Sequence, residues 1–306
     1  MIDRRIKFRH IQCFVEIVRQ KSMKRAAERL YLTQPAISKT LKELEDILGA
    51  AMLTRSRAGV ALTRQGEVFL HFAEMSLAAL QQGLDGVEQV GQAGRVTLTV
   101  GALPSVAARL MPEAVREFRA LAPEVTIRLI DGPHSYLIDL LRRGGVDLVI
   151  GRLGQPDTMQ GISFTQLYNE YVEFVTRPGH PLLEAPDLKR IGEWPVIFPA
   201  AASAIRPLVE RMMIAHGIGE LPNRIESVSG AFGRNFTRNS DAIWIISAGV
   251  VAKEVAEGSL VRLPFDTGIT VGPVGLMTRP DSQPSPAEQV FRMAVGTVVA
   301  AMDEEA

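Results

Sequence analysis

Gln34, Ser38 and Lys42 recur at i, i+4 and i+8, with Lys39 beside them. In a helix this spacing stacks an amide, a hydroxyl and an ammonium on one face. Those groups pair with base edges in a DNA major groove or with its phosphates: Gln matches adenine, Lys guanine or phosphate, and Ser either. The solvated outer face of an ordinary helix has the same composition, so this helix alone leaves both readings open. Catalytic chemistry is poorly supported. HExxH, Walker A and GxGxxG patterns are absent. Ser229-Gly230 is half a nucleophile elbow, because Ser227 stands where GxSxG needs Gly. His10, His71, His134, His180 and His216 are scattered without metal-ligand spacing. Cys13, the only cysteine, lies in an apolar helical stretch and reads as a packed thiol. The expectation is no catalytic residue, no metal and no cofactor.

The reading face needs elements to hold it. Ile37, Leu41, Leu44 and Leu48 form the buried stripe of the same helix, Thr33 can cap it, and Pro35 is tolerated in its first turn. Before it, Ser22 caps a short helix whose Ala26, Ala27 and Leu30 face inward. Phe8, Ile11, Cys13, Phe14, Ile17 and Val18 give a first amphipathic helix. Gly49 ends the reading helix. Two short strands at 52–55 and 60–63 then flank the polar turn 56–59. Arg55 and Arg57 on this hairpin can reach backbone phosphates or a minor groove. Two helices joined by a tight turn, followed by a wing, form a winged helix-turn-helix. Its DNA-contact candidates are Ser22, Lys24, Arg25, Thr33, Gln34, Pro35, Ser38, Lys39, Lys42, Arg55 and Arg57.

Charge supports that reading. The 306-residue chain has zero formal net charge, yet residues 1–66 hold fourteen Lys/Arg against six Asp/Glu, a net of about +8. The remainder is correspondingly acidic, so a polyanion suits one end only. The length suits two or three domains. No apolar signal core opens the chain and no run is long enough to cross a bilayer, so a cytoplasmic protein without membrane partners is expected.

Residues 67–93 continue as one long helix. Phe69, Ala73, Leu77, Leu80, Leu84, Val87 and Val90 recur mostly at three and four, and the short head cannot cover them all. A second copy of the same helix is the economical cover, with Gly91 and Gly94 as a hinge. From residue 94 the pattern reads β-α-β-α-β, a parallel sheet with helices on its faces. A second α/β run starts near Tyr168, and the chain returns to the first lobe near residue 268. The fold class is therefore α/β, with lobe I at about 94–167 and 268–306 and lobe II at about 168–267. Ligands bind outside strand ends at helix N-termini in such sheets. That rule selects Leu103, Pro104, Ser105, His134, Ser135 and Arg152 in lobe I. In lobe II it selects Ser203, Arg206, Ser229, Phe232 and Ser247, with Arg206 as a bidentate carboxylate clamp.

The order AAERLYLTQPAISKTLKELEDILG followed by LTRSRAGVALTRQGE resembles the head of LysR-type transcriptional regulators. Leu53 stands where that family often has an aromatic, and Gln65 where it often has Ala. The resemblance implies a winged helix-turn-helix, a linker helix that dimerises, a two-lobed periplasmic-binding-protein-like effector domain, and a homodimer or homotetramer. It also implies double-stranded promoter DNA with an inverted repeat, a small-molecule effector and RNA polymerase as partners. Within the family, VGALPSVAARLMP, SDAIWIISAGVVA and TGITVGPVGLMTRPDSQPS resemble regulators of protocatechuate catabolism genes. This implies an activator answering to a carboxylate. Two alternatives remain at the level of sequence: a regulator sensing a sugar or other metabolite, and a small-molecule-binding protein or enzyme with a helical dimerisation arm.

Overall fold

The computed structural model describes residues 3–56, 59–91, 96–280 and 282–304. Two compact units emerge. The first holds residues 1–91 together with 142–144; the second holds 92–141 and 145–306.

The first unit is built on α1 (Phe8–Gln20), α2 (Met23–Arg29), α3 (Gln34–Leu48), the hairpin β1 (Leu53–Ser56) and β2 (Gly59–Leu62), and α4 (Arg64–Gly91). Phe14, Ile17, Ala26, Ile37, Leu41 and Leu44 meet in one core, which Ala73 of α4 joins. The small Ala26 and Ala27 are buried where helices approach. Two details differ from periodicity. Phe8, expected on the inner stripe, is half-exposed at the start of α1, and Val15 is buried instead. On α4, Phe69, Leu70 and Leu77 pack on the core while Val68, Phe72, Leu80 and Leu84 stay exposed. Arg57, Gly94 and Arg95 lie outside the described residues.

The second unit has two five-stranded sheets. Lobe I orders its strands β4-β3-β5-β12-β6, from β3 (Thr97–Ala102), β4 (Thr126–Asp131), β5 (Leu148–Arg152), β6 (Ser163–Glu170) and β12 (Gly272–Thr278). α5 (Pro104–Leu121) and α10 (Pro286–Glu304) cover one face, and α6 (His134–Arg142) covers the other. Lobe II orders β11-β7-β10-β8-β9, from β7 (Val172–Thr176), β8 (Val196–Pro199), β9 (Arg224–Ser227), β10 (Ile243–Ser247) and β11 (Val261–Arg262). Its helices are α7 (Arg206–Ala215), α8 (Gly230–Arg238) and α9 (Ala248–Ala256).

Both sheets are mixed rather than wholly parallel. β12 runs antiparallel to β5 and β6, and β7 antiparallel to β10. The expected lobe boundary at Tyr168 also moves. β6 stays paired with β12 as far as Glu170, so the chain crosses at Tyr171 and returns at Val271. Thr270 staples the crossings: its hydroxyl accepts the Val172 N–H at 2.9 Å and donates to the Thr267 carbonyl at 2.7 Å. Among the described residues, no helix is long and apolar enough to cross a membrane.

Candidate nucleic-acid interface and ligand cleft

α3 owes its position to its ends. Thr33 Oγ1 accepts the Ala36 N–H at 3.4 Å, Pro35 sits in the first turn, and Gly49 closes the helix at φ +66°. That left-handed value is one a side chain disfavours. Ile37, Leu41 and Leu44 are buried, so the opposite face carries Gln34, Pro35, Lys39 and Lys42 exposed and Ser38 half-buried. Ser22 Oγ accepts the Arg25 N–H at 3.4 Å, so this candidate is also the cap of α2; Lys24 and Arg25 are exposed in its first turn. Glu43, an acid on α3, is turned to the protein. It takes hydrogen bonds from His10 (3.2 Å), the larger influence, and Arg9 (2.9 Å), which hold its carboxyl below the usual range. Glu45 receives the Met52 and Leu53 N–H groups at 2.8 and 3.3 Å and so fixes where the hairpin leaves α3. β1 and β2 pair with Arg55 opposite Val60. Cys13 is buried with its thiol against the Ile37 carbonyl, and burial pushes its pKa up to about 11, so it is a packing residue.

The cleft of the second unit has a volume of about 590 Å³. Five strand-to-helix junctions line it: β3–α5, β4–α6, β8–α7, β9–α8 and β10–α9. Of the sequence candidates, Leu103, Pro104, Ser105, His134, Arg152, Ser203, Ser229 and Ser247 line the space. Three do not. Ser135 sits one residue round α6 from His134 and faces solvent. Phe232 stacks on Phe236, with centroids 5.2 Å apart, on the outer face of α8. Arg206 turns away to Glu210 (2.5 Å) and Glu226 (3.0 Å) and lies 5.0 Å from the Phe198 ring centroid. Its remaining bond, to the Pro199 carbonyl at 2.9 Å, holds the end of β8 at the cleft wall. Those partners replace the free clamp expected of it.

Arg152 is 3% exposed. Its Nη1 donates to the Thr270 carbonyl at 3.1 Å and its Nη2 to the Glu170 carbonyl at 2.8 Å, while Nε has no hydrogen-bond partner among the described residues. Burial lowers its pKa, and the Glu170 carboxylate 3.9 Å away opposes that shift. Glu170 is buried too. Its Oε1 accepts the Gly249 N–H at 3.0 Å and a bond from Ser105, and burial raises its pKa. The N-termini of α5 and α9 thus converge on one carboxylate beneath the cleft. Ser229 Oγ caps α8 through the Phe232 N–H at 3.2 Å, whereas Ser247 makes no capping bond. Arg234 also lines the cleft, with Nε donating to Glu254 at 2.6 Å and Nη2 to the Val250 carbonyl at 2.5 Å. Strand-end reasoning missed it because it lies four residues inside α8. Its signal was a cation one turn after the Ser229-Gly230 helix start.

A head whose third helix has an exposed polar face and a two-lobed unit with a cleft match two family descriptions. "Bacterial regulatory helix-turn-helix protein, lysR family" covers residues 8–67 and "LysR substrate binding domain" covers 91–300. The chain belongs to the LysR family of transcriptional regulators. It is 51% identical over 288 residues to the HTH-type transcriptional regulator PcaQ of Agrobacterium fabrum (strain C58), spanning 93% of this chain and 92% of that one. It is 32% identical over 296 residues to the uncharacterized regulator YdcI of Escherichia coli (strain K12), spanning 96% of each. Among solved structures it resembles full-length LysG of Corynebacterium glutamicum with bound effector arginine, with a TM-score of 0.58, 18% identity and coverage of 97% and 99%. At that identity the likeness concerns the fold.

Proposed function

We propose that the exposed face of α3 enters the major groove of promoter DNA. Gln34 and Ser38 would read base edges, and Lys39 and Lys42 would grip base or phosphate. Lys24, Arg25 and the N-cap turns at Ser22 and Thr33 hold the flanking backbone, and the hairpin carrying Arg55 and Arg57 adds backbone contacts. The observation that carries this is the division of α3 into a buried apolar stripe and an exposed polar one. Exposed Val68, Phe72, Leu80 and Leu84 support dimerisation through α4, which would present two heads to an inverted repeat; tetramers follow from pairing dimers. The protein acts in the cytoplasm as an activator working with RNA polymerase and not as an enzyme. In a phosphate-gripping role, Lys42→Ala lowers the salt slope of binding by about one. An unchanged slope removes Lys42 from that role.

The cleft takes a small carboxylate from aromatic-acid catabolism, in the protocatechuate/β-ketoadipate pathway. Arg152 on one wall, Arg234 on the other and the helix starts at His134 and Gly230 that line the cleft support an anion. The resemblance to regulators of protocatechuate catabolism genes supports the pathway. A thermal-shift panel of protocatechuate, carboxymuconate, ketoadipate and simple sugars tests it. Stabilisation by a carboxylate alone is expected, and stabilisation by a sugar alone overturns it.

A further inference from the structure

The turn between α2 and α3 holds an aromatic residue that the fold of the head does not use. The Leu32 N–H bonds the Ala27 carbonyl at 2.9 Å and the Tyr31 N–H the Glu28 carbonyl at 3.3 Å. Those two bonds are the paired closure of a Schellman motif, with Tyr31 at the position that adopts the left-handed conformation. Its φ is +55°. Glycine is the usual occupant, because a Cβ there crowds the following carbonyl. The same chain places Gly49 at the corresponding position after α3, at φ +66°. Tyr31 therefore holds an unfavourable backbone conformation, and its side chain is 95% exposed. Among the described residues it joins no ring pair, and its hydroxyl makes no hydrogen bond. Backbone strain without any return in packing points to a role outside the folded chain.

Its place indicates what that role is. Tyr31 lies three residues before Gln34 and two before the Thr33 cap, at the start of the helix proposed to enter the groove. Lys24, Arg25 and Arg29 of the adjoining α2 are exposed and outnumber the exposed Glu28 beside them, so the field around the turn favours an anion. The turn stands at the rim of the reading face, where a groove-bound helix passes the sugar-phosphate strand. We infer that Tyr31 is a DNA-contact residue. Its phenolic hydroxyl donates to a phosphate oxygen of the strand bordering the groove, and its ring lies along the neighbouring deoxyribose. The left-handed turn projects the ring far enough from the surface to reach it. This inference rests on the proposed docking of α3.

Stability and binding should respond in opposite directions. The test uses full-length protein, a duplex fragment of the promoter region beside its own gene, and thermal melting in parallel. Tyr31→Gly and Tyr31→Asn, both suited to the left-handed position, should melt at or above the wild-type temperature yet bind DNA about tenfold more weakly. Tyr31→Phe should weaken binding severalfold with an unchanged salt slope, because a neutral donor releases no counterion. Lys42→Ala, measured alongside, should lose affinity and slope together. If the glycine and asparagine variants bind within twofold of wild type while Lys42→Ala and Gln34→Ala are weakened, the Tyr31 contact is wrong and the docking of α3 stands. If none of the variants is weakened, the docking itself fails. Wild-type binding by Tyr31→Phe alone overturns the hydroxyl contact.

Discussion

The head and the cleft offer polar groups for recognition in opposite ways. On α3, Gln34, Lys39 and Lys42 point out of the protein, and the acid beside them, Glu43, is turned back to Arg9 and His10. In the cleft, the main polar groups are bonded inward: Ser105 to Glu170, Arg152 to two carbonyls, Ser229 to its helix start and Arg234 to Glu254. The contrast follows from the solvent each site sees. A charged duplex meets a wet surface, where an unpaired Lys keeps its hydration until binding. A bare cation or hydroxyl in a buried wall costs free energy at all times, so it is given internal partners. A ligand must share or replace those partners, and its entry is thereby tied to the residues joining the lobes.

The contrast predicts that cleft substitutions damage stability and recognition together, while α3 substitutions separate them. The largest effect is expected for Arg152→Met, which strands the buried Glu170 carboxyl. It should destabilise the second unit by on the order of 3 kcal/mol, read by urea unfolding. A loss under 1 kcal/mol would mean that Glu170 is neutral in the native protein. Gly249→Ala comes next. An added Cβ would meet Glu170 Oε1 at 2.5 Å and the Ser105 carbonyl at 3.0 Å. The cost should be about 1–3 kcal/mol, with weaker ligand binding because the two helix starts are forced apart. A thermal-shift titration with the ligand identified in the panel checks both.

A smaller effect is expected from His180, which is buried with Nδ1 accepting the Leu182 N–H (3.1 Å) and Nε2 against the Asp241 carbonyl (3.1 Å). Burial lowers its pKa from the ordinary 6.5. The unfolded chain then binds the proton more readily, so its contribution is intact above pH 6.5 and declines as pH falls toward the depressed value. Melting temperatures between pH 7.5 and 5.5 should fall more steeply for wild type than for His180→Asn, which keeps a cap without titrating; parallel curves would remove His180 from the acid limb. The smallest effect is the stability change of Lys42→Ala, expected within about 0.5 kcal/mol of wild type. A larger loss would break the comparison, because the side chain would then serve the fold.

How much was legible follows the type of element. β7, β10 and β12 are the most legible strands, because strands buried on both faces appear as short apolar runs bounded by turn residues. β6 was missed: SFTQLYNE is an edge strand with one exposed face and polar ends. α8 is hard to read because GAFGRNFTR carries two glycines and little apolar surface; what places it is tertiary, with Gly233 close against the Trp244 ring and Arg234 bonded to Glu254. Junction residues such as Ser105 and Ser247 were found because a strand end is a local feature. Arg206 lost its expected role to two partners, of which Glu210 is one turn along the same helix and legible from spacing, whereas Glu226 lies twenty residues further along the chain, as Glu254 does from Arg234.

The sequence alone determined the cationic head, the inward and outward faces of its third helix, the succession of two α/β lobes and the family. Each of these depends on spacing within one segment or on a charge count, and neither needs a distant partner. The tertiary structure decided which cations are committed, where the chain crosses between lobes, that one carboxylate gathers two helix starts beneath the cleft, and that Tyr31 stands exposed in a left-handed turn. Ion pairing, burial and close approach are properties of residues remote in sequence, and they acquire values only when the chain has folded.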